Sequence, residues 1–412
     1  MDKKVFIDLF AGCGGLSLGL TNAGWQGLFA VERTADAFKT LKHNLIDKNT
    51  VTPFKWPEWL PQKEMTTSEI LDNYKEQLAN LKGTVDLIAG GPPCQGFSFA
   101  GRRNPNDPRN KLTEQYIEIV KLVQPKYLLL ENVKGFKSPF KGSGSDIAKN
   151  KVYAEVVKDK LEEIDYKVFY KVIQASKFGV PQPRPRFIMI AIKDGEKIEK
   201  SPFDLIEEFL PEYRKSKGLK EVGEISVKEA ISDLEITGRE LIDCEDTKNF
   251  KQVKYSAESL TTYQQLMRSG VQDKYSPNSL RLPKHKTSTR LRFEKVIDNP
   301  DKYKKGTSLP KAQMVSLGTN KRSFTPLHPD HHACTITTLP DDLLHYSEPR
   351  ILTVRENARI QSFPDWFEFQ GKYTTGGPKR KEECPRYTQV GNAVPPLMAE
   401  ALGKIIDKLN NE

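Results

Sequence analysis

The sequence predicts an α/β protein: a doubly wound, mostly parallel sheet followed by a second, smaller domain. Six short apolar runs, at residues 5–10, 28–31, 85–89, 127–130, 168–173 and 187–192, alternate with amphipathic helical stretches such as 110–123 and 146–164, the rhythm of consecutive βαβ units. Past about Lys193 that alternation stops, and Lys, Ser, Thr and Pro become more frequent. The length of 412 residues also exceeds one typical domain. The boundaries read as 1–193 for the sheet domain, 194–384 for the second domain, and 385–412 for a segment ending in a helix of good formers.

The chain carries 37% hydrophobic and 29% charged residues, enough for real cores. It has no apolar run near the ~18 residues a membrane span needs, so no membrane partner is expected. The first strand pattern begins at Val5, which leaves no room for a signal peptide and points to a cytoplasmic, reducing setting. Five cysteines at irregular spacings argue against a disulfide framework. The formal charge of +10 is concentrated. Residues 281–322 hold twelve Lys or Arg against three acids, a net +9. Interleaved His285, Phe293, Asn299 and Tyr303 suit a surface that meets phosphates and base edges.

At the amino end, Phe6-Ile7-Asp8-Leu9-Phe10-Ala11-Gly12-Cys13-Gly14-Gly15-Leu16 reads as strand, glycine loop, then helix. Such a loop brings backbone N–H groups and a helix start against a ligand. Glu32, twenty residues after Gly12 and at the end of the second apolar run, is placed to accept two ribose hydroxyls. The glycine spacing departs from the dinucleotide fingerprint, so an adenosine cofactor fits better than a dehydrogenase cofactor. Residues 56–81 exceed a simple connection and read as a surface insertion carrying a helix.

Gly90-Gly91-Pro92-Pro93-Cys94-Gln95-Gly96-Phe97-Ser98 is the most informative stretch. The diproline must leave the sheet, and glycines on both sides let the backbone turn and approach a ligand. Taken alone, Cys94 reads either as a nucleophile or as a small hydrophobe in a turn.

Four further segments decide the matter: Glu131-Asn132-Val133; Gln182-Pro183-Arg184-Pro185-Arg186; Arg350 to Arg359 followed by Gln361-Ser362-Phe363-Pro364-Asp365; and Gln389-Val390-Gly391-Asn392-Ala393-Val394-Pro395-Pro396. In this order and spacing the chain closely resembles the DNA (cytosine-5)-methyltransferases, over residues 1 to about 195 and about 335 to 405. The resemblance implies the S-adenosylmethionine-dependent methyltransferase fold with a DNA-recognition domain, and S-adenosylmethionine as cofactor. Double-stranded DNA is the implied partner, met by a monomer, with a cognate restriction endonuclease encoded separately as a further partner. It implies Cys94 as the thiolate that attacks cytosine C6, Glu131 on the Watson–Crick edge, Arg186 on cytosine O2, and Arg184 in a supporting or phosphate role. Cofactor contacts fall on Phe10, Gly12, Gly14, Glu32, Pro93 and Asn392, and substrate contacts on Gln95, Ser98 and Gln182. Residues 96–112 resemble a mobile catalytic loop, and the target base must be flipped from the duplex. No metal is needed; His328, His331, His332 and Cys334 match no zinc spacing.

Two positions depart from the family pattern. Arg33 stands where a large apolar residue often covers adenine, and Glu69 is the only acid before an isoleucine that suggests itself for the adenine edge. Arg290, Arg292 and Asn320 are the base readers suggested within the basic segment. Two other readings remain at this stage. RNA methylation shares this catalytic core, and a catalytically silent DNA-binding module would need none of Cys94, Glu131 and the paired arginines.

Overall fold

The computed structural model describes residues 3–48, 53–93, 110–137, 152–195, 199–319, 321, 323–375, 379 and 382–409. The chain divides into two compact units. The first comprises Met1–Gln174, Pro185–Leu210 and Met398–Glu412, and the second Ala175–Arg184 and Pro211–Leu397.

The first unit is built on one six-stranded sheet. Its strands are β1 (Val5–Leu9), β2 (Gln26–Val31), β3 (Leu87–Gly90), β4 (Tyr127–Val133), β5 (Tyr166–Gln174) and β6 (Pro185–Lys193), in the order β2-β1-β3-β4-β6-β5. Each coincides with one of the six apolar runs. β2, β1, β3 and β4 run parallel, whereas β6 lies antiparallel between β4 and β5. The central strands are buried on both faces, which is why they read as unbroken apolar runs rather than alternating ones. Helices α1 (Gly15–Asn22), α2 (Ala35–Leu41), α3 (Thr67–Asn73), α4 (Lys75–Asn80), α5 (Asn110–Val123) and α6 (Tyr153–Glu162) connect them. The 56–81 insertion holds α3 and α4, and its Trp59 packs edge-on against Phe29 of β2 with ring centres 5.9 Å apart. Trp25 donates its indole N–H to the Gly403 carbonyl at 3.0 Å, and Lys4 pairs with Asp407 at 2.5 Å. These contacts tie the last helix residues into this unit.

The second unit has no large sheet among its described residues. Two short strand pairs, β7 (Leu241–Asp243) with β8 (Lys251–Val253) and β9 (Thr325–Pro326) with β10 (Leu343–Leu344), accompany short helices. Helix α7 (Pro202–Ser216) leads into them, and α8 (Val227–Ile231), α9 (Thr262–Met267), α10 (Thr287–Ile297), α11 (Lys311–Ser316), α12 (Val354–Ile360) and α13 (Arg386–Asn392) follow. Helix α14 (Pro396–Lys408) belongs to the first unit from Met398 onward. Capping boxes open α8 (Ser226, Glu229), α9 (Thr261, Gln264) and α12 (Thr353, Glu356), each satisfying helix N–H groups that would otherwise lack partners. The Arg350–Arg359 segment is scaffolding. Arg359 is fully buried against Asp365 (2.6 Å) and Asp233 (3.0 Å), and Arg350 is forked onto Glu356 at 2.7 Å from each nitrogen. Buried charges of this kind hold only as complete sets. No helix among the described residues is long and apolar enough to cross a membrane.

Candidate functional site

Strand register brings the site residues together. Val31, Leu9, Gly90 and Leu130 are successive partners across β2, β1, β3 and β4. The residues that follow them, Glu32, Phe10, Gly91 and Glu131, therefore emerge side by side at the carboxyl ends of four parallel strands. The crossovers from β1 lead to β2 on one side and the chain returns to β3 on the other. This is the switch point where open α/β sheets take their ligands.

At the β1 end the backbone turns through three left-handed residues, Phe10 (φ 61°), Gly12 (φ 57°) and Gly14 (φ 94°). A side chain on Gly14 would also lie 3.0 Å from Leu45. Space around Gly12 is open. Phe10, as a non-glycine residue at positive φ, is strained in the way ligand-holding positions often are. The Glu32 carboxylate is clamped: Oε2 accepts the Gly12 N–H at 3.0 Å, and Oε1 accepts the Thr34 N–H at 2.8 Å and its hydroxyl at 2.5 Å. A clamped carboxylate beside open space and a left-handed loop fits the vicinal hydroxyls of an adenosine group. Below it, Asp8 is fully buried and accepts the Ser17 hydroxyl at 2.5 Å. Burial pushes its carboxyl up to about 7.

The insertion reaches this end through Met65, whose N–H donates to the Glu32 carbonyl at 2.8 Å. Glu69 is occupied otherwise: it closes a capping box with Thr66 at the start of α3, which overturns its assignment to the adenine edge. Arg33 is exposed.

At the β3 end, Gly90 lies so close to β1 that a Cβ would come within 2.6 Å of the Leu9 carbonyl. The Pro92 carbonyl accepts the buried Asn132 amide at 3.1 Å, so the start of the diproline turn is fastened to the end of β4. Next to Asn132, Glu131 receives Arg186 Nε at 2.8 Å, and both side chains are about seven-eighths covered. Arg186 also donates to its neighbouring Pro185 carbonyl at 3.0 Å. Pro93 is partly buried. Cys94, Gln95 and Ser98, with the rest of 94–109, lie outside the described residues, as does Asn320.

Two expected site residues are placed elsewhere. Arg184, 1% exposed, donates to the carbonyls of Ile336 (3.2 Å), Gly391 (2.6 Å) and Ala393 (3.0 Å). A guanidinium spent on three buried carbonyls is a brace inside the second unit, not a phosphate or catalytic contact. Gln182 is equally committed. Its amide donates to the Ile360 carbonyl and Gln361 Oε1 and accepts the Ile336 N–H, leaving nothing for substrate. Gly391 allows this packing, since a Cβ there would meet the Thr337 carbonyl at 2.4 Å. Asn392 is exposed at the end of α13.

In the basic segment, Arg290 pairs with Glu294 at 3.1 Å on the surface of α10, and Arg292 donates to the Gly318 carbonyl at 3.0 Å. Arg281, which spacing and motif did not single out, instead has its guanidinium between the rings of Phe250 and Tyr373.

The profile of the C-5 cytosine-specific DNA methylase family matches residues 5–408. Type II methyltransferase M.DdeI of Desulfomicrobium norvegicum is 31% identical, the match covering 97% of this chain and 88% of the relative. Type II methyltransferase M1.HphI of Haemophilus parahaemolyticus is also 31% identical, over 98% and 87%. Among solved structures, an Escherichia coli prophage protein described as a DNA modification methyltransferase superposes with a TM-score of 0.65 at 24% identity, covering both chains fully. The S. pombe Dnmt2 methyltransferase superposes at 0.56 and 17% identity, covering 99% of this chain and all of that one. Both are likenesses of fold. With sheet, switch point and profile in agreement, the chain belongs to the C-5 cytosine-specific DNA methylase family, enzymes that methylate cytosine in DNA with S-adenosylmethionine as methyl donor.

Proposed function

We propose that this enzyme methylates C5 of a cytosine flipped out of a specific duplex sequence, through a covalent bond between Cys94 and C6. The carrying observation is the Glu131–Arg186 pair beside the anchored diproline turn, one rung beyond the paired ends of β3 and β4.

Cytosine C5 becomes nucleophilic only after addition at C6. The Cys94 thiolate forms the S–C6 bond, the ring π electrons shift toward N3, and the Glu131 carboxyl delivers the N3 proton, leaving an enamine at C4–C5. A free thiol has a pKa of roughly 8.5, so a nearby cation favours the thiolate. Arg186, already fixed by Glu131 and the Pro185 carbonyl, directs its remaining N–H groups to cytosine O2. Bound S-adenosylmethionine supplies the electrophilic methyl. Loss of the C5 proton to water then restores the C5–C6 double bond and expels the Cys94 thiolate, while N3 returns its proton to Glu131. Gln95 and Ser98 complete the substrate contacts, with Ser98 on the target phosphate.

For the cofactor, Glu32 holds the ribose hydroxyls and Phe10, Gly12, Gly14 and Pro93 line its place. Residues 194–384 form the recognition domain, whose +9 segment neutralises DNA phosphates. The enzyme acts as a monomer and is the modification half of a restriction–modification system, with its endonuclease encoded separately. Relatives named Type II methyltransferases support that assignment.

Nucleoside mass spectrometry after incubation with S-adenosylmethionine and either mixed-sequence duplex DNA or transfer RNA tests the reading. It requires 5-methylcytosine from the duplex and none with Cys94→Ala. Methylation confined to RNA, or a methyl group on the cytosine amine, would contradict it.

A further inference from the structure

We propose that Arg281 is a DNA-contacting residue whose guanidinium fork takes two acceptor atoms of the duplex; this rests on the methylation reading above. Of the described arginines in the second unit, Arg281 alone makes no hydrogen bond to a described residue. Arg184, Arg214, Arg268, Arg355 and Arg386 are each fastened to backbone carbonyls, carboxylates or both. The partly buried Arg239 and the surface arginines Arg290 and Arg292 also have partners.

Arg281 is held by stacking instead. Its guanidinium carbon lies 4.2 Å from the centre of the Phe250 ring and 3.8 Å from that of Tyr373. Tyr373 is itself fixed, because its hydroxyl donates to Asp246 at 2.7 Å and 2.8 Å and Arg386 lies 4.4 Å from its ring centre. The backbone beside Arg281 is pinned by the Leu282 N–H, which donates to the Lys251 carbonyl at 2.8 Å. The sandwich therefore sets the plane of the fork while leaving its donors unused.

That arrangement is unfavourable for packing alone. The group is half-buried and its Nε is covered without a partner, and a covered donor left unsatisfied is destabilising. Arginine keeps its charge throughout. Asp246 is the neighbouring carboxylate, and it is already taken by Arg386, Tyr373 and the Cys244 thiol. Lys284 lies 4.7 Å from the other ring's centre and adds positive charge. Arg281 also opens the +9 segment. A rigid, planar, unpaired fork in such a field matches acceptors that come in pairs: guanine N7 and O6 in the major groove, or two oxygens of one phosphate.

The test compares the full-length enzyme with Arg281→Met, which keeps an apolar stem between the rings, and Arg281→Lys, which keeps charge without the fork. Each is assayed on randomised duplex DNA, with methylated cytosines mapped by sequencing, salt dependence of DNA binding measured and melting temperature recorded. If Arg281 reads guanine, Arg281→Met relaxes the preference at one position of the site by roughly 5- to 150-fold, and Arg281→Lys does not restore it. If it holds phosphate, Arg281→Met weakens all sequences alike, lowers the salt slope by about 0.9, and is rescued by Arg281→Lys. An unchanged site, rate and salt slope in a folded Arg281→Met would overturn the proposal and leave a packing role. Absence of 5-methylcytosine from the unaltered enzyme would instead sink the methylation reading beneath it.

Discussion

A Cβ on Gly91 would stand 3.1 Å from Glu131 Oε2, so the residue opening the diproline turn leaves room for the carboxylate at the end of the next strand. The Glu131 side chain cannot simply swing away, because Arg186 holds its other oxygen at 2.8 Å. Gly91→Ala should therefore displace the Glu131–Arg186 pair by a fraction of an ångström while leaving the β1 loop untouched. We expect kcat to fall on the order of ten- to a hundredfold, with cofactor affinity by calorimetry unchanged. An equal loss of cofactor affinity would mean that the Gly91 turn supports the nucleotide end instead.

Glu32 presents the opposite pattern. Its carboxylate is oriented by Gly12 and Thr34, so Glu32→Ala removes both the ribose acceptor and a tie across the loop. The KM for S-adenosylmethionine should rise by roughly 10- to 100-fold, while kcat at saturating cofactor changes little. A kcat loss at unchanged KM would rule out the ribose assignment.

Arg184 braces three buried carbonyls. Removing it leaves those acceptors without their donor, and Arg184→Met should lower stability by about 3–5 kcal/mol. Denaturant unfolding reads this directly. The KM for DNA of the folded enzyme should hold, and a large rise in it without a stability loss would return Arg184 to the DNA.

Asp8 makes stability depend on pH. Burial pushes its carboxyl up from 3.8 to about 7, Ser17 opposes this in part, and the charge of Glu32 adds to it. Between these values the native state keeps a proton that the unfolded chain releases. The contribution is thus fully present below the lower value and lost as pH rises through about 7. Relative to Asp8→Asn, the wild-type enzyme should lose roughly 1.4 kcal/mol per pH unit up to about 7 and then level off. A flat difference between pH 5 and 7 would show that Asp8 is ionised in the native state.

The sheet and its loop were readable because parallel strands buried on both faces leave unbroken apolar runs, and because Gly12, Gly14 and Glu32 follow strand ends at fixed intervals. Glu131 and Arg186 came from the resemblance alone; the structure pairs them through a diagonal across β4 and β6, where Glu131 lies opposite Ile188 and Arg186 opposite Val133. The supporting or phosphate role that the resemblance implies for Arg184 differs from its place in the structure because the residue lies outside the strand that carries Arg186. β6 begins at Pro185, and Arg184 precedes it with φ at 36°, outside the sheet. Glu69 carried an overlooked signal, since Thr66 three residues earlier forms a capping-box pattern. Arg281 was legible only as the first residue of the basic segment, not in its stacked setting. Its setting depends on Phe250 and Tyr373, distant in sequence and joined only by tertiary packing.

The covalent step is the centre of the account, and one measurement addresses it directly: the intact mass of the enzyme after reaction with S-adenosylmethionine and a duplex carrying 5-fluorocytosine at its methylation site. Fluorine at C5 cannot leave as a proton does, so the adduct should be trapped after methyl transfer. The expected result is a denaturant-resistant complex with the mass of enzyme, DNA and one methyl group, mapped by peptide digestion to Cys94 and missing from Cys94→Ala. Release of methylated DNA with no adduct, or an adduct on another residue, would contradict it.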